Sequence, residues 1–308
     1  MGNGRWDAAD WDAYARTNVS GKSTRQIFTA RGMDPAYDPA GITVRESRDS
    51  ADNPAATPII LASDVTGSMG MSAEALMRDG LNTLATEIYA RQPVTDPHVM
   101  IMAVGDAEVD RAPLQVTQFE ADIRVAQQAR ELWLEGGGGG NGGESYMAAH
   151  LFAATKTACD AIEKRGRKGY LVTIGDEPVL DGMRAAQIQR VLGIPAERDL
   201  SAAEILAMAE RDWEVFHVVL ANEGFARHDL DRVLASWKPL LPERTILLED
   251  VGALAETVVS LIQVTEGARA ADVAQSWSGS TALVVANALG GLPDRPDPGT
   301  GGVRRLAP

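Results

Sequence analysis

Residues 58–70, with the sequence PIILASDVTGSMG, decide the fold: an apolar run stops at Asp64 and is followed by hydroxyls and glycines. An apolar run of this length, bounded by turn residues, predicts a buried strand of a parallel sheet. Functional groups in such sheets gather beyond the carboxyl ends of the strands. Asp64, Thr66 and Ser68 place one carboxylate and two hydroxyls at alternate positions, which suits a hard cation such as Mg²⁺. The segment therefore predicts a strand that delivers oxygen ligands to a cation.

The composition is that of a globular chain and disfavours several classes of partner. The chain has 308 residues, 45% of them hydrophobic and 23% charged, which allows one large domain or two ordinary ones. Its formal net charge of −14 repels nucleic-acid phosphates and anionic membrane surfaces. We find no apolar stretch of membrane-spanning length and no signal peptide. Cys159 is the only cysteine, which agrees with a reducing compartment, so we expect a cytoplasmic protein.

Strand patterns and helix patterns alternate along the chain. Buried strands are predicted at residues 98–104, 168–174, 213–220 and 245–248, with a short alternating strand at 114–119. Apolar residues at helical spacing predict helices in the segments between them, at residues 77–92, 123–134, 147–162, 183–192 and 201–211, then one ending at 237 and one at 254–264. This alternation predicts an α/β fold with a Rossmann-like, mostly parallel central sheet and helices on both faces.

Two flanking regions fall outside the main domain, which we place at residues 58–266. Residues 1–57 are polar and carry aromatic anchors, so we expect an extension packed on the main domain. Within it, SGKSTR at residues 20–25 lacks the strand and the first glycine of a P-loop, and a polar turn leading into a helix at Ser23 is the better interpretation. Residues 267–308 predict one docked helix at 281–289, followed by a disordered tail.

Three loops are predicted to meet at the carboxyl edge of the sheet, and together they resemble a known family. The first carries Asp64, Thr66 and Ser68, the second carries Glu144 and Ser145 before a helix, and the third carries Asp176 after a strand. This arrangement resembles the von Willebrand factor A (VWA) domain, whose metal-ion-dependent adhesion site uses a D-x-S-x-S loop, a Thr or Glu from a second loop and an Asp from a third. DVTGSMG is close to the common bacterial form DVSGSM.

Two of the three loops depart from the family pattern. The third loop reads GDE where the family usually has TDG. The second loop has Glu144 and Ser145 after its glycines, where family members commonly have GGT. Glu144 is the preferred second-loop ligand, because integrin β-type VWA domains use a glutamate there, and Ser145 is the alternative. Purely structural roles stay open for both residues, since Ser68 is also a suitable helix cap and an acid such as Glu144 is favoured in a first helical turn.

The resemblance covers about residues 58–264 and implies a binding module instead of a catalyst. It implies that Mg²⁺ or Mn²⁺ is held by residues from the three loops, namely Asp64, Thr66, Ser68, Glu144 or Ser145, and Asp176. A carboxylate from a protein partner fills the open coordination position in this family. Three carboxylates around the cation would weaken that contact and make it conditional. Stand-alone bacterial VWA proteins often work beside MoxR-type AAA+ ATPases, so such an ATPase is the first partner to expect.

An enzyme is the alternative hypothesis. DVTGS is also similar to the DKTGT loop of P-type ATPases and, more loosely, to the haloacid-dehalogenase phosphotransferases. Asp64 would then be a nucleophile, Lys168 would steady the phosphoryl group, and Asp176 with Asp181 would hold Mg²⁺. Val65 departs from that pattern, as does Ser68. A dinucleotide-binding oxidoreductase is weaker still, because no G-x-G-x-x-G follows a strand.

The remaining polar residues give no strong site candidate. The glycine run at residues 136–140 predicts a flexible hinge and not a phosphate cradle, because no GK[ST] accompanies it. Asp106 and Asp110 are predicted to be solvated. The four histidines have no ligand spacing: His98, His150, His217 and His228.

Overall fold

A computed structural model describes residues 4–65, 81–135 and 142–292. Within this described part, the strands are β1 (Arg45–Ser47), β2 (Thr57–Asp64), β3 (Pro97–Val104), β4 (Leu114–Val116), β5 (Thr157–Cys159), β6 (Gly169–Gly175), β7 (Trp213–Leu220) and β8 (Thr245–Leu248). Among these described strands, six form the central sheet in the order β4-β3-β2-β6-β7-β8, and a separate small sheet pairs β1 with β5. Only β4 runs antiparallel within the central sheet. The predicted mostly parallel sheet is therefore confirmed.

Helices fill the segments between the strands. They are α1 (Ala8–Asn18), α2 (Thr24–Ile27), α3 (Leu81–Arg91), α4 (Arg124–Ala129), α5 (Tyr146–Thr155), α6 (Asp160–Arg165), α7 (Ala185–Leu192), α8 (Ala202–Ala209), α9 (Ala226–Trp237), α10 (Leu254–Thr265), α11 (Ala270–Gln275) and α12 (Gly279–Leu289). No helix in the described residues combines the length and the apolar character needed to cross a lipid bilayer.

Two apolar layers cover the two faces of the central sheet. Successive side chains of a strand point to opposite faces, and β2 therefore contributes to both layers. Ile59 and Leu61 join the layer that contains the apolar residues of α10, whereas Ile60 and Ala62 join the layer that contains those of α5. Because β2 is covered on both faces, its apolar residues form a continuous run and do not alternate with polar ones. The predicted helices on both faces are confirmed.

The amino-terminal residues pack against the sheet and its helices. Trp6 stacks on Trp11 with ring centroids 5.1 Å apart, and both belong to the same apolar layer as α10. The Trp6 indole N–H donates to the carbonyl of Pro97 at 3.2 Å. The predicted turn and helix start are also seen, since α2 follows Ser23, whose N–H donates to the Gln26 side chain. The boundaries at residues 57 and 266 stay predictions.

The predicted helix over residues 147–162 is wrong. The structure has α5, then β5, then α6, because β5 leaves the helical path to pair in parallel with β1. Ser47 of β1 lies opposite Cys159 of β5. This partner lies more than a hundred positions earlier in the chain, so local periodicity does not reveal it. The small sheet also joins the amino-terminal residues to the main domain.

Smaller differences concern the ends of elements. The predicted strand at 114–119 is only Leu114–Val116, and the helix predicted at 123–134 is Arg124–Ala129. The docked helix predicted at 281–289 is confirmed as α12, which packs on α10, and α11 precedes it. Three predictions lie wholly or partly outside the described residues: the start of the helix at 77, the hinge at 136–140 and the disordered tail from residue 293.

Candidate metal centre

Three central strands end together at one edge of the sheet. β2 pairs in parallel with β3 and with β6, so that Asp64 lies opposite Val104, and Ser63 lies opposite Ile174. The residues that follow these strands therefore share this edge, which we call the carboxyl edge. Asp64 and Asp176 are both fully buried there. The sequence prediction that these two acids lie at a common edge agrees with this register.

Asp64 is contacted by a tyrosine that sequence reasoning missed. The phenol O–H of Tyr146 donates to Asp64 Oδ2 at 3.2 Å. Tyr146 is the first residue of α5, directly after the candidate ligands of the second loop, and it is fully buried. Burial, followed by the charge of Asp64, raises the pKa of Tyr146 well above its usual value, so the phenol keeps its proton and acts as a donor.

The second loop places Glu144 in the interior without hydrogen-bond donors. The Glu144 N–H donates to the Pro178 carbonyl at 3.0 Å, which holds the loop against the segment after β6. Gly143 allows this approach, because a Cβ there would lie 2.6 Å from the same carbonyl oxygen. The Glu144 side chain is fully buried, and neither carboxylate oxygen has a hydrogen-bond partner among the described residues. Burial, with Asp64 as the next cause, raises the pKa of Glu144 to about 10.

Ser145 is occupied by a contact with the loop after β3. Its Oγ accepts a hydrogen bond from the Ala107 N–H at 2.8 Å, and only 3% of the residue is exposed. The residue precedes α5 but its side chain makes no cap hydrogen bond to that helix. The hydroxyl thus ties the second loop to the loop after β3, while Glu144 faces the interior with its oxygens uncommitted. This contrast supports Glu144 as the second-loop ligand.

The prediction that Asp106 and Asp110 are solvated is wrong. Asp106 is fully buried and Asp110 is 8% exposed. The loop after β3 folds back on itself, since the Asp106 N–H donates to Asp110 Oδ2 at 2.7 Å and the Glu108 N–H donates to Asp106 Oδ1 at 2.6 Å. Gly105 makes room for this fold, because a Cβ there would lie 2.5 Å from Asp110 Oδ2. Asp106 follows a buried strand as Asp64 does, and that shared position was the available signal.

The third loop brings two acids to the same edge. Asp176 Oδ2 accepts a hydrogen bond from the Phe225 N–H at 2.5 Å, which fixes the carboxylate against the start of α9. Burial, with Asp176 as the next cause, raises the pKa of the neighbouring Glu177 to about 7. Sequence reasoning did not single out Glu177, because an acid that follows another acid in a loop is normally solvated.

Negative charge is concentrated at the carboxyl edge. The carboxylates whose charges raise the pKa of Glu144 come from all three strand ends: Asp64, Glu177, Asp106 and Asp110. No group of three or more His, Cys, Asp or Glu side chains within residues 4–65, 81–135 and 142–292 is arranged as a metal site. An adhesion-type site also draws on the hydroxyls of Thr66 and Ser68, which lie outside the described residues. The buried, unpartnered carboxylate of Glu144 fits a divalent cation, because an opposite charge is what offsets its burial.

Lys168 and Asp64 lie at opposite ends of two neighbouring strands. Lys168 precedes β6, whereas Asp64 ends the neighbouring parallel strand, and Tyr170 lies opposite Ile59. Lys168 is thus level with Thr57, seven positions before Asp64, and at about 3.3 Å per residue the two are about 23 Å apart along the strands. The Lys168 ammonium donates to the Glu210 carbonyl at 2.5 Å. The structure therefore does not bring together the nucleophile and the lysine that the phosphotransferase hypothesis requires.

Comparisons with known proteins give structural likenesses at low identity. No protein-family model and no curated sequence matches the chain. Similar solved structures include the open conformation of the pilus adhesin SpaC from Lactobacillus rhamnosus GG, at 12% identity and a TM-score of 0.48, over 72% of this chain and 31% of that chain. A second is a von Willebrand factor type A structure from Catenulispora acidiphila, at 13% identity and a TM-score of 0.38, over 69% of this chain and 43% of that chain. A third is an aerotolerance-related membrane protein from Bacteroides fragilis NCTC 9343, at 12% identity and a TM-score of 0.40, over 67% of this chain and 98% of that chain.

These likenesses do not carry a functional argument. The chain spans only about a third of the length of the adhesin, so the match does not include most of that protein. The fold assignment rests on the sheet itself: an α/β domain with a mostly parallel sheet, one antiparallel edge strand and helices on both faces. This architecture agrees with the VWA fold that the first-loop motif predicts. Function has to be argued from the site.

Proposed function

We propose that the carboxyl edge binds Mg²⁺ or Mn²⁺ and, through the cation, a carboxylate of a protein partner. The observation that carries this proposal is the buried carboxylate of Glu144, neither oxygen of which has a hydrogen-bond partner among the described residues. An ionised carboxylate without a partner in the protein interior costs several kcal/mol. A divalent cation beside Asp64 and Glu144 would offset that cost.

The residues at the edge divide into ligands and supports. Asp64, Glu144 and Asp176 would supply carboxylates, and Thr66 with Ser68 would supply hydroxyls. Ser145 holds the second loop against Ala107, and Phe225 holds Asp176 in place. Mg²⁺ usually keeps several waters and takes only one or two direct carboxylates, so at least one of these three acids would reach the cation through a bound water. The bound cation would supply an exchangeable coordination position for the partner's carboxylate.

A binding role fits these residues better than phosphoryl transfer. The phosphotransferase hypothesis needs Lys168 against the phosphoryl group, but Lys168 lies at the opposite end of the strands and donates to the Glu210 carbonyl. The first partner to test is a MoxR-type AAA+ ATPase, a choice that rests on analogy with stand-alone bacterial VWA proteins. A cytoplasmic location is inferred from the single cysteine.

Calorimetric titration with Mg²⁺ and Mn²⁺, after treatment with a chelator, tests the cation site. Wild type should bind one equivalent, and Asp64→Ala should abolish binding. Glu108→Gln is the matched control, because Glu108 lies on the loop after β3 but its side chain is 50% exposed and pairs with Arg184. Absence of binding by the folded wild type, or unchanged binding by Asp64→Ala, would overturn the proposal.

Two further assays separate the alternatives. A pull-down with the AAA+ ATPase should capture the partner in the presence of Mg²⁺ and lose it with chelator or in Asp64→Ala. Incubation with radiolabelled ATP should leave the protein unlabelled. A hydroxylamine-sensitive label that is absent from Asp64→Ala would establish an aspartyl phosphate and replace the binding role with phosphotransfer.

A further inference from the structure

Tyr146 reaches Asp64 through a gap that only glycine provides. The tyrosine O–H donates to Asp64 Oδ2 at 3.2 Å across 82 positions of the chain. The hydroxyl lies against the backbone of Gly175, where an added Cβ would be 1.9 Å from it. Any other residue at the end of β6 would therefore displace the phenol. The contact depends on α5, β2 and β6 together.

The tyrosine ring is also fixed from the other side. His217 and Trp237 stack on each other with ring centroids 3.6 Å apart. Both meet the Tyr146 ring edge-on, at centroid distances of 5.1 and 5.3 Å. The ring of His217 is itself held by Thr173 at 2.9 Å. Because all of these side chains are buried, the packing holds the Tyr146 ring with its phenol oxygen against Asp64.

We propose that Tyr146 is a positioning residue that makes the site select Mg²⁺ and Mn²⁺ over Ca²⁺, an inference that rests on the proposed function. A hydrogen bond to Oδ2 disfavours ligation of one cation by both oxygens of Asp64. Ca²⁺ takes six to eight oxygens and often uses both oxygens of a carboxylate, whereas Mg²⁺ is octahedral and takes carboxylate oxygens singly. Occupying Oδ2 therefore costs Ca²⁺ more than it costs Mg²⁺.

Tyr146→Phe tests this selectivity, because it removes only the hydroxyl. Dissociation constants for Mg²⁺, Mn²⁺ and Ca²⁺ are measured by calorimetry on the full chain. We expect the preference for Mg²⁺ over Ca²⁺ to fall about tenfold, because a hydrogen bond to a charged group is worth more than that factor and only part of its strength discriminates between the ions. Tyr170→Phe is the matched control: its buried phenol also donates to a carboxylate, that of Glu266, but away from the carboxyl edge. Its preference should be unchanged.

The outcomes separate this inference from the proposed function. An unchanged ratio of the Mg²⁺ and Ca²⁺ dissociation constants in Tyr146→Phe would overturn the inference but leave the proposed metal site intact. An equal loss of affinity for both ions would also overturn the inference, because it indicates a purely structural role for Tyr146. Failure of wild type to bind any of the three ions would overturn both. The wild-type constants provide a second test if Tyr146→Phe does not fold: a wild type that binds Ca²⁺ as tightly as Mg²⁺ would refute the selectivity assigned to Tyr146.

Discussion

Replacing Gly175 with alanine should strain the buried contact between α5 and the central sheet. The new Cβ would lie 1.9 Å from the Tyr146 hydroxyl and 2.7 Å from Cζ, whereas ordinary contacts begin at 3.4 Å. The phenol oxygen would have to move by about 1.5 Å to restore such a contact. His217 and Trp237 pack against the ring and oppose that movement.

The expected cost has two parts. Overpacking a buried site costs about 1–3 kcal/mol. Loss of the Tyr146 hydrogen bond to a charged acceptor adds about 1.5–3 kcal/mol. We therefore expect Gly175→Ala to lower the free energy of unfolding by about 2.5–6 kcal/mol in urea denaturation at neutral pH with chelator present. Gly32→Ala is the control, because nothing lies within 4 Å of its added Cβ, and it should change stability by about 0.5 kcal/mol or less.

A double variant examines the cause of that loss. Tyr146→Phe removes the atom that the new Cβ would meet first, so Gly175→Ala should cost at least about 1 kcal/mol less in the Tyr146→Phe background than in wild type. Two results would refute the reasoning. One is a Gly175→Ala protein that unfolds at the same urea concentration as wild type. The other is simple additivity of the two substitutions, which would mean that the side chains do not compete for one space.

Three other predictions concern pH and the amino-terminal contacts. Burial raises the pKa of Glu144 from 4.5 to about 10, so the metal-free folded state keeps a proton that the unfolded chain releases. This group should therefore lower stability by up to about 1.4 kcal/mol per pH unit between pH 4.5 and about 10. Glu144→Gln should remove this contribution from the slope measured in urea titrations, and an unchanged slope would contradict it. Burial lowers the pKa of His98 from 6.5 to about 4, so the neutral imidazole contributes about 3 kcal/mol of stability above pH 6.5, and this contribution is lost as the pH falls to 4. His98→Gln should lack this pH-dependent contribution in acid denaturation. An acid midpoint identical to that of wild type would refute the prediction. Asp160 accepts hydrogen bonds from Arg48, Lys164 and the Asp49 N–H. Asp160→Asn should therefore lower the free energy of unfolding by about 1–3 kcal/mol and speed proteolysis near residue 49. Cleavage rates equal to those of wild type would show that these contacts do not hold the amino-terminal segment.

The carboxyl edge shows how far the sequence alone could predict a site. Asp64 and Asp176 each follow a continuous apolar run, and parallel strands place their carboxyl ends together, so their common edge is predictable from local patterns. Asp106 carried the same signal, since it also follows a buried strand. Local pattern does not reveal its burial, because the loop that buries it depends on a hydrogen bond to Asp110 and on the space left by Gly105.

Local periodicity and composition determine which segments of this chain become helices and strands, and they determine the parallel α/β class, because those signals lie within a few residues of one another. The tertiary structure alone decides which polar groups are buried together. β5 leaves the predicted helix because β1 pairs with it from the amino-terminal residues, and Tyr146 meets Asp64 only because α5, β2 and β6 converge. The burial of Glu144 likewise depends on the segment after β6 that covers it. The physical reason is that desolvation and hydrogen bonding depend on neighbours in space, and for these residues the neighbours are distant in sequence.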